Sequence, residues 1–276
     1  MAATRKGTVN GCPHEVIDPR DVKFFRNQPG YFWDPEDDLF RWRDRIPFAR
    51  SGLAELLVFS LMTFGPAAGL AIWLNWPGTE IDLLLQVIGW LVVASLVIIG
   101  LHIVWFFRDP PRRIPMEAGL VVSPADGKVV AIDEIDDDDF IGGPAVRIGI
   151  FLSIFNVHIN RAPVAGRVIG VRYKPGKYLN ALRPESAREN EQLSVRMQET
   201  TAPYRRYVVR QITGAIARRI VCWLKPGDEM ARGEQFGMIK LGSRTELVLP
   251  RDNGLKICAK LGDKVKAGQT VLAAYE

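Results

Sequence analysis

The sequence predicts a mainly β domain preceded by a two-helix transmembrane hairpin. Three observations carry this: two long charge-free runs in the first 107 residues, a change to short β-rich runs beyond Pro115, and an internal echo of turns near the C-terminus. The averages hide it. The chain has 276 residues, 47% hydrophobic and 24% charged, with mean hydropathy near zero. These are ordinary values for a folded protein, and they exclude a disordered, collagen-like or low-complexity chain. Cys12, Cys222 and Cys258 are too few and too scattered for a disulfide scaffold, and they lack metal-ligand spacing. A reduced, cytosol-facing environment fits them best.

No residue is charged from Leu56 to Thr79 or from Leu83 to Phe107, runs of 24 and 25 residues. About 20 apolar residues span the hydrocarbon core as a helix, and core helices of soluble proteins rarely stay charge-free for so long. Between the runs lie Trp76-Pro77-Gly78 and the acids Glu80 and Asp82, a helix-breaking turn. Pro66 and Gly69 are expected to kink the first helix. Arg41, Arg43, Arg45 and Arg50 precede the hairpin, Arg108, Arg112 and Arg113 follow it, and the linker has no Lys or Arg. The positive-inside rule therefore puts both ends in the cytoplasm, with Trp105, Phe106 and Phe107 as an aromatic belt. A signal peptide is not expected, because the first apolar run starts too late.

Charge divides unevenly along the chain. Residues 1–50 hold nine basic and eight acidic side chains, residues 51–107 three acids, and residues 108–276 27 basic and 20 acidic. The surplus of +7 thus sits beneath the membrane, where anionic headgroups are the natural partners. Nucleic acid is not an expected partner, since no basic stripe is interleaved with stacking aromatics. Residues 1–50, with Tyr31-Phe32-Trp33 and the acidic 34–38 stretch, read as an N-terminal cytosolic extension without an assigned role.

Beyond Pro115, the runs 119–132, 145–159, 166–173, 207–209, 217–223, 236–240, 246–249 and 271–275 read as strands. The polar 179–197 stretch reads as a loop or short helix, and Asp136–Asp139 as a solvated turn. Lys225-Pro226-Gly227-Asp228, continuing to Gly233, is echoed 35 residues later by Lys260-Leu261-Gly262-Asp263, continuing to Gly268. With Ala125-Asp126-Gly127-Lys128-Val129, these turns are similar to the hammerhead strands of biotinyl and lipoyl carrier domains, which implies a barrel-sandwich-like domain. No Met-Lys-Met or Asp-Lys-Ala tip is present, so the likeness supports a fold and not a carrier function.

Three histidines occur in the chain. His102 reads as a packed residue of the second span, and His14 lies in the extension. His158 follows an apolar strand, where a lone histidine is more often structural. Asp126 lies on a tight turn of an ordinary kind. Gly242-Ser243 has particular chemistry. Glycine permits strained geometry, and the next hydroxyl can attack the preceding carbonyl. That hydroxyl needs a base, for which a histidine oriented by an aspartate is the usual solution.

In this order, Ser123-Pro124-Ala125-Asp126-Gly127, Asn156-Val157-His158-Ile159-Asn160-Arg161-Ala162-Pro163 and Leu241-Gly242-Ser243-Arg244 resemble the phosphatidylserine decarboxylase proenzymes. Phe106-Phe107-Arg108-Asp109-Pro110-Pro111, Pro175–Ala181 and Glu189-Asn190-Glu191 resemble the short branch of that family. The resemblance covers roughly residues 46–276 and implies a pyruvoyl-dependent decarboxylase domain over 108–276, behind the hairpin at 51–107. It implies that Ser243 attacks the Gly242 carbonyl, so that the chain cleaves itself between 242 and 243 and leaves a pyruvoyl cofactor in place of Ser243. The pyruvoyl ketone would form a Schiff base with phosphatidylserine and withdraw electrons as carbon dioxide leaves, giving phosphatidylethanolamine. Asp126 becomes the orienting acid, and His158 the base and proton donor. Larger relatives carry two histidines three apart where this chain has His158 and Arg161, and a threonine where it has Arg244. Both arginines are candidates for binding substrate carboxylate or phosphate. No metal is expected. The implied partners are the membrane lipid, the chain's own cleaved halves (1–242 with 243–276) and a further copy in a homo-oligomer. The implied location is the inner membrane, with the catalytic domain on its cytoplasmic side. A related lipid such as archaetidylserine is the alternative substrate, and a non-enzymatic membrane-anchored adaptor the rival function.

Overall fold

The computed structural model describes residues 41–276 apart from Thr79, residues 216–218 and Leu241. The expected extension therefore lies outside the described residues except for its last ten. The described chain forms two compact units, Trp42–Pro110 and Pro111–Glu276.

The first unit is built on two helices, α1 (Leu53–Leu74) and α2 (Leu83–Phe106). The apolar segments that contain them run Arg50–Leu74 and Leu83–Phe106, with only 11% of either apolar window buried. Leu61, Leu84, Ile98 and Leu101 are all more than half exposed. A soluble protein would bury such a surface, whereas the length and composition fit a membrane crossing. The helices meet through small residues. A Cβ on Gly100 would lie 2.6 Å from Phe64, and one on Gly89 would lie 2.8 Å from Leu74, so glycine is what lets the backbones approach. Asp82 caps α2 by accepting from the Leu84 amide at 2.7 Å. Pro66 lies inside α1 without ending it. At the base, the Ala49 amide donates to the Phe107 carbonyl and the Asp109 amide to the Pro47 carbonyl, both at 2.8 Å. The two ends of the hairpin thus lie side by side. Arg108 stacks over Trp105 at 4.0 Å.

The second unit is mainly β, as expected. Its strands are β1 (Leu120–Val122), β2 (Gly127–Asp138), β3 (Gly143–Leu152), β4 (Ile159–Arg161), β5 (Gly166–Lys174), β6 (Gln192–Gln198), β7 (Arg206–Thr213), β8 (Arg219–Cys222), β9 (Glu229–Met230), β10 (Gln235–Lys240), β11 (Ser243–Pro250), β12 (Leu255–Ile257), β13 (Lys264–Val265) and β14 (Val271–Tyr275). Eight of them form one curled antiparallel sheet in the order β13-β2-β3-β11-β7-β6-β5-β9, with smaller sheets β1-β14-β12 and β4-β10-β8. The polar 179–197 stretch is corrected here. Only Ser186–Glu189 is helical, and the rest ends in β6, whose alternate residues Leu193, Val195 and Met197 enter the core.

The echoed turns are built alike. The Lys225 amide donates to Asp228 Oδ2 at 2.7 Å, and the Lys260 amide to Asp263 Oδ2 at 2.8 Å. Gly227 and Gly262 have φ of 96° and 92°, a left-handed geometry that only glycine adopts without cost. Their amides donate to Val168 and Val129 carbonyls, both at 2.8 Å. The two halves exchange bonds as well, Val122 amide to Pro163 carbonyl and Arg161 amide to Pro124 carbonyl, both at 3.0 Å. The echo thus reaches past the turns to the strands that they pack on. Along β11, Leu247 and Leu249 enter a shared core with Ile148, Ile150, Val195 and Val209, while Arg244, Glu246 and Val248 alternate to the outer face.

Candidate active site

Ser243 opens β11, wholly buried, in register between Leu152 of β3 and Thr213 of β7. Its Oγ has no hydrogen-bond partner among the described residues. Leaving a buried hydroxyl unpaired costs about 1–3 kcal/mol, so the position is specified by something other than stability. Gly242 stands just before it with φ of 63°. Its carbonyl is pressed against β7's end, where a Cβ on Gly214 would come within 2.3 Å of the oxygen. Two glycines, one for the turn and one for the approach, therefore set the Gly242–Ser243 peptide.

His158 is fully buried and reaches Gly242 from the residue just before β4. Its Nε2 accepts the Gly242 amide at 3.2 Å, and its Nδ1 lies 2.9 Å from the Asn156 carbonyl. Both contacts are satisfied by one tautomer, with the proton on Nδ1 and the lone pair on Nε2. The preceding turn is itself fixed, since Asn156 Oδ1 accepts from the Ser153 amide at 2.9 Å and from its hydroxyl at 2.7 Å.

Asp126, expected to orient His158, is held by other groups. Its carboxylate accepts both bonds of an Arg112 fork at 3.0 and 2.9 Å, and Oδ1 also accepts from the Ala267 amide at 2.8 Å. Among the described residues it bonds to Arg112 and Ala267 and not to His158. What it secures is the turn whose Pro124 carbonyl accepts from Arg161 and Asn160. Arg161 donates to the Gly233 carbonyl at 3.0 Å and lies against Gly268, bracing the two echoed turns. Arg244 is on the face of β11 opposite Ser243. Its Nη2 lies 3.0 Å from Glu246 Oε1, close enough for ion pairing though not aligned as a hydrogen bond, and over Gly149. Glu246, also wholly buried, pairs on its other side with Arg210 at 2.9 Å.

Sequence reasoning missed several residues. Asn160 Nδ2 donates to Thr245 Oγ1 at 3.1 Å, and Gln211 Nε2 donates to Asn160 Oδ1 at 2.9 Å. This buried chain of side chains ties β4, which follows directly on His158, to β11, which begins with Ser243. Asn190 donates to Leu179 and Thr213 carbonyls at 2.8 and 2.7 Å, which holds the 177–190 loop beside Gly214. The available signal was polar residues, Gln211 and Thr213, at positions where alternation from Tyr207 and Val209 calls for core side chains.

Residues 99–273 match the family model described as phosphatidylserine decarboxylase. The chain belongs to this family. A phosphatidylserine decarboxylase proenzyme of Rhodopirellula baltica is 52% identical over 255 residues, covering 92% of this chain and 99% of the relative. That match takes in the hairpin. Proteins of the same name from Desulfotalea psychrophila and Symbiobacterium thermophilum are 45% and 46% identical, covering 61% and 66% of this chain and 77% and 83% of their own length. Membership of the phosphatidylserine decarboxylase family meets the expectation of an enzyme, a lyase, and sets the adaptor aside.

Proposed function

We propose that the chain is the precursor of a membrane-anchored phosphatidylserine decarboxylase that cleaves itself at Gly242–Ser243. The observation that carries this is the buried Ser243 Oγ, without a hydrogen-bond partner among the described residues, next to a Gly242 whose own amide, one bond before the scissile peptide, is held by His158 Nε2. In this reading the Gly242 amide releases His158 Nε2, whose freed lone pair takes the Ser243 Oγ proton as Oγ attacks the Gly242 carbonyl carbon, and that proton passes on to the departing Ser243 nitrogen. The carbon–nitrogen bond breaks to give an ester. Loss of the Ser243 α-proton then expels Gly242 as a carboxylate, and water replaces nitrogen, which leaves as ammonia. Chain 243–276 thereby begins with a pyruvoyl group, and chain 1–242 stays bound through the sheet. The surroundings suit such a group. They are buried, and Ser243 sits between two strands that persist after cleavage.

When formed, the group supplies a ketone that takes up the substrate amine and draws electrons from the bond to carbon dioxide. His158 holds a proton at Nε2 beside it and returns it to the carbon left behind. Asn156, through its carbonyl, orients His158. Asp126, locked by Arg112, positions the turn beneath β4. Arg161 and Arg244 have structural partners and are assigned no substrate contact. Residues 51–107 act as the hairpin anchor, with both flanks and the 108–276 domain on the cytoplasmic side, as the arginine flanks favour. Incubating the detergent-solubilised full chain with phosphatidylserine should yield phosphatidylethanolamine and carbon dioxide. Absence of turnover by fully cleaved protein would overturn the substrate assignment.

A further inference from the structure

The outer face of the eight-stranded sheet carries a groove that this chemistry does not use. It encloses about 560 Å³ and is lined by Phe140, Arg172, Lys174, Ser194, Arg196 and Arg210, with Asp138 and Asp139 at one end. Strand register sets Arg172 beside Ser194, Ser194 beside Arg210 and Arg210 beside Glu246. This row therefore lies on the Arg244 side of the sheet, opposite Ser243.

The charges in the groove are not balanced. Glu246 neutralises Arg210 at 2.9 Å. Asp138 Oδ1 is engaged by the Phe140 and Ile141 amides, both at 3.0 Å, and with Asp139 it offsets two of the three remaining cations, so that the groove keeps a surplus of one positive charge, at the end away from these acids. Lys174 Nζ donates to the Arg188 carbonyl at 2.8 Å, which leaves its charge unopposed. Neither Arg172 nor Arg196 is ion-paired among the described residues. Arg196 lies over the Phe140 ring at 5.1 Å and Arg206 lies over the same ring at 5.6 Å, so aromatic contact pre-orders both. Two unpaired guanidinium forks with a hydroxyl between them are a donor set matched to phosphate oxygens.

We propose that this groove holds the phosphate headgroup of an anionic membrane lipid, at a site separate from the decarboxylation centre. The lipid source rests on the membrane reading above. The 111–276 domain is roughly 40 Å across by its length and follows the hairpin directly at Pro110–Pro111. Insertion of the hairpin therefore keeps the tethered domain at a high effective concentration of headgroups.

The test is titration of the full-length chain in detergent with dioctanoyl-phosphatidylglycerol, whose headgroup has no amine and cannot enter the reaction. Zwitterionic dioctanoyl-phosphatidylcholine is the comparison. Phosphatidylglycerol should bind more tightly, and Arg172→Gln with Arg196→Gln should weaken it by about 30-fold, the worth of two basic residues at an anionic surface. Ser194→Leu, which adds bulk at a position lining the groove without changing charge, should weaken it too. Lys128→Gln with Lys264→Gln, on exposed strand positions outside the groove, should not. Equal affinity for both lipids, or unchanged binding by both groove variants, would overturn the proposal. Glycerol 3-phosphate binding as tightly as phosphatidylglycerol would also overturn it, by making the occupant a soluble ester. Binding is read without turnover, so a failure of the decarboxylase reading shows separately, and sedimentation with carbonate-washed membranes tests the hairpin by itself.

Discussion

Gly214→Ala tests whether the close packing at the cleavage peptide matters. The residue touches neither the nucleophile nor the base, yet its new Cβ would stand 2.3 Å from the Gly242 oxygen and 3.3 Å from the Ala181 side chain. Since carbon approaches nearer than 3.0 Å are essentially never tolerated, the Gly242 carbonyl has to retreat by at least 0.7 Å. It cannot do so independently, because the Gly242 amide is tied to His158 at 3.2 Å and Ser243 is clamped between β3 and β7. Reacting groups must be held to within about 0.5 Å, and a displacement near 1 Å costs on the order of 100-fold in rate. Self-cleavage should therefore slow by roughly that factor, while overpacking lowers stability by only about 1–3 kcal/mol. The assay follows the 34-residue fragment (276 minus 242) in pulse-labelled protein, with thermal unfolding recorded in parallel. Gly170→Ala, in open space, should cleave at the parental rate. Parental cleavage by a folded Gly214→Ala protein would refute the reasoning.

Further outcomes follow from the same structure. Ser243→Ala should remain a single, inactive chain, and normal decarboxylation by it would rule out a cofactor made from this residue. Glu246→Gln leaves Arg244 buried without its carboxylate and should cost about 3 kcal/mol in denaturant unfolding; a loss below about 0.5 kcal/mol would show that the pair is dispensable. Burial pushes the Cys222 thiol from 9.0 up to about 12, while Cys258 is exposed. A maleimide at pH 8 should then label Cys258 and spare Cys222 until the protein unfolds, and equal labelling would contradict this burial. Burial likewise raises Tyr207 and Tyr275 above their ordinary 10.0. Groups raised on folding stabilise fully below their unfolded values and lose that contribution as pH climbs through the folded ones. The melting temperature should accordingly fall above about pH 9–10, and a flat profile to pH 11 would contradict it.

Much of this was readable in the chain because local rules and global fold agree there. The hairpin follows from charge-free length, and the turns at Gly227 and Gly262 follow from a repeated Lys-x-Gly-Asp whose aspartate closes its own loop. What escaped depends on distant contacts. Asn160 is a motif residue without a role and Gln211 a stray polar residue until β4 and β7 are laid against β11, and Gly214 looks like any loop glycine until the Gly242 carbonyl arrives beside it. The partner of Asp126 was hidden in the same way, because Arg112 belongs to the segment leaving the hairpin and was read there as a topology charge. Strand β6 was obscured by its polar outward face, which includes Ser194 and Arg196.

The central claim is that Ser243 is consumed to make the cofactor. Intact-mass measurement of purified full-length protein tests it most directly. The expected result is two chains, 1–242 ending in an ordinary carboxylate and 243–276 lighter than its unmodified sequence by one ammonia and resistant to N-terminal sequencing. A single chain of 30.9 kDa with an unaltered Ser243, in protein that decarboxylates its lipid, would contradict it.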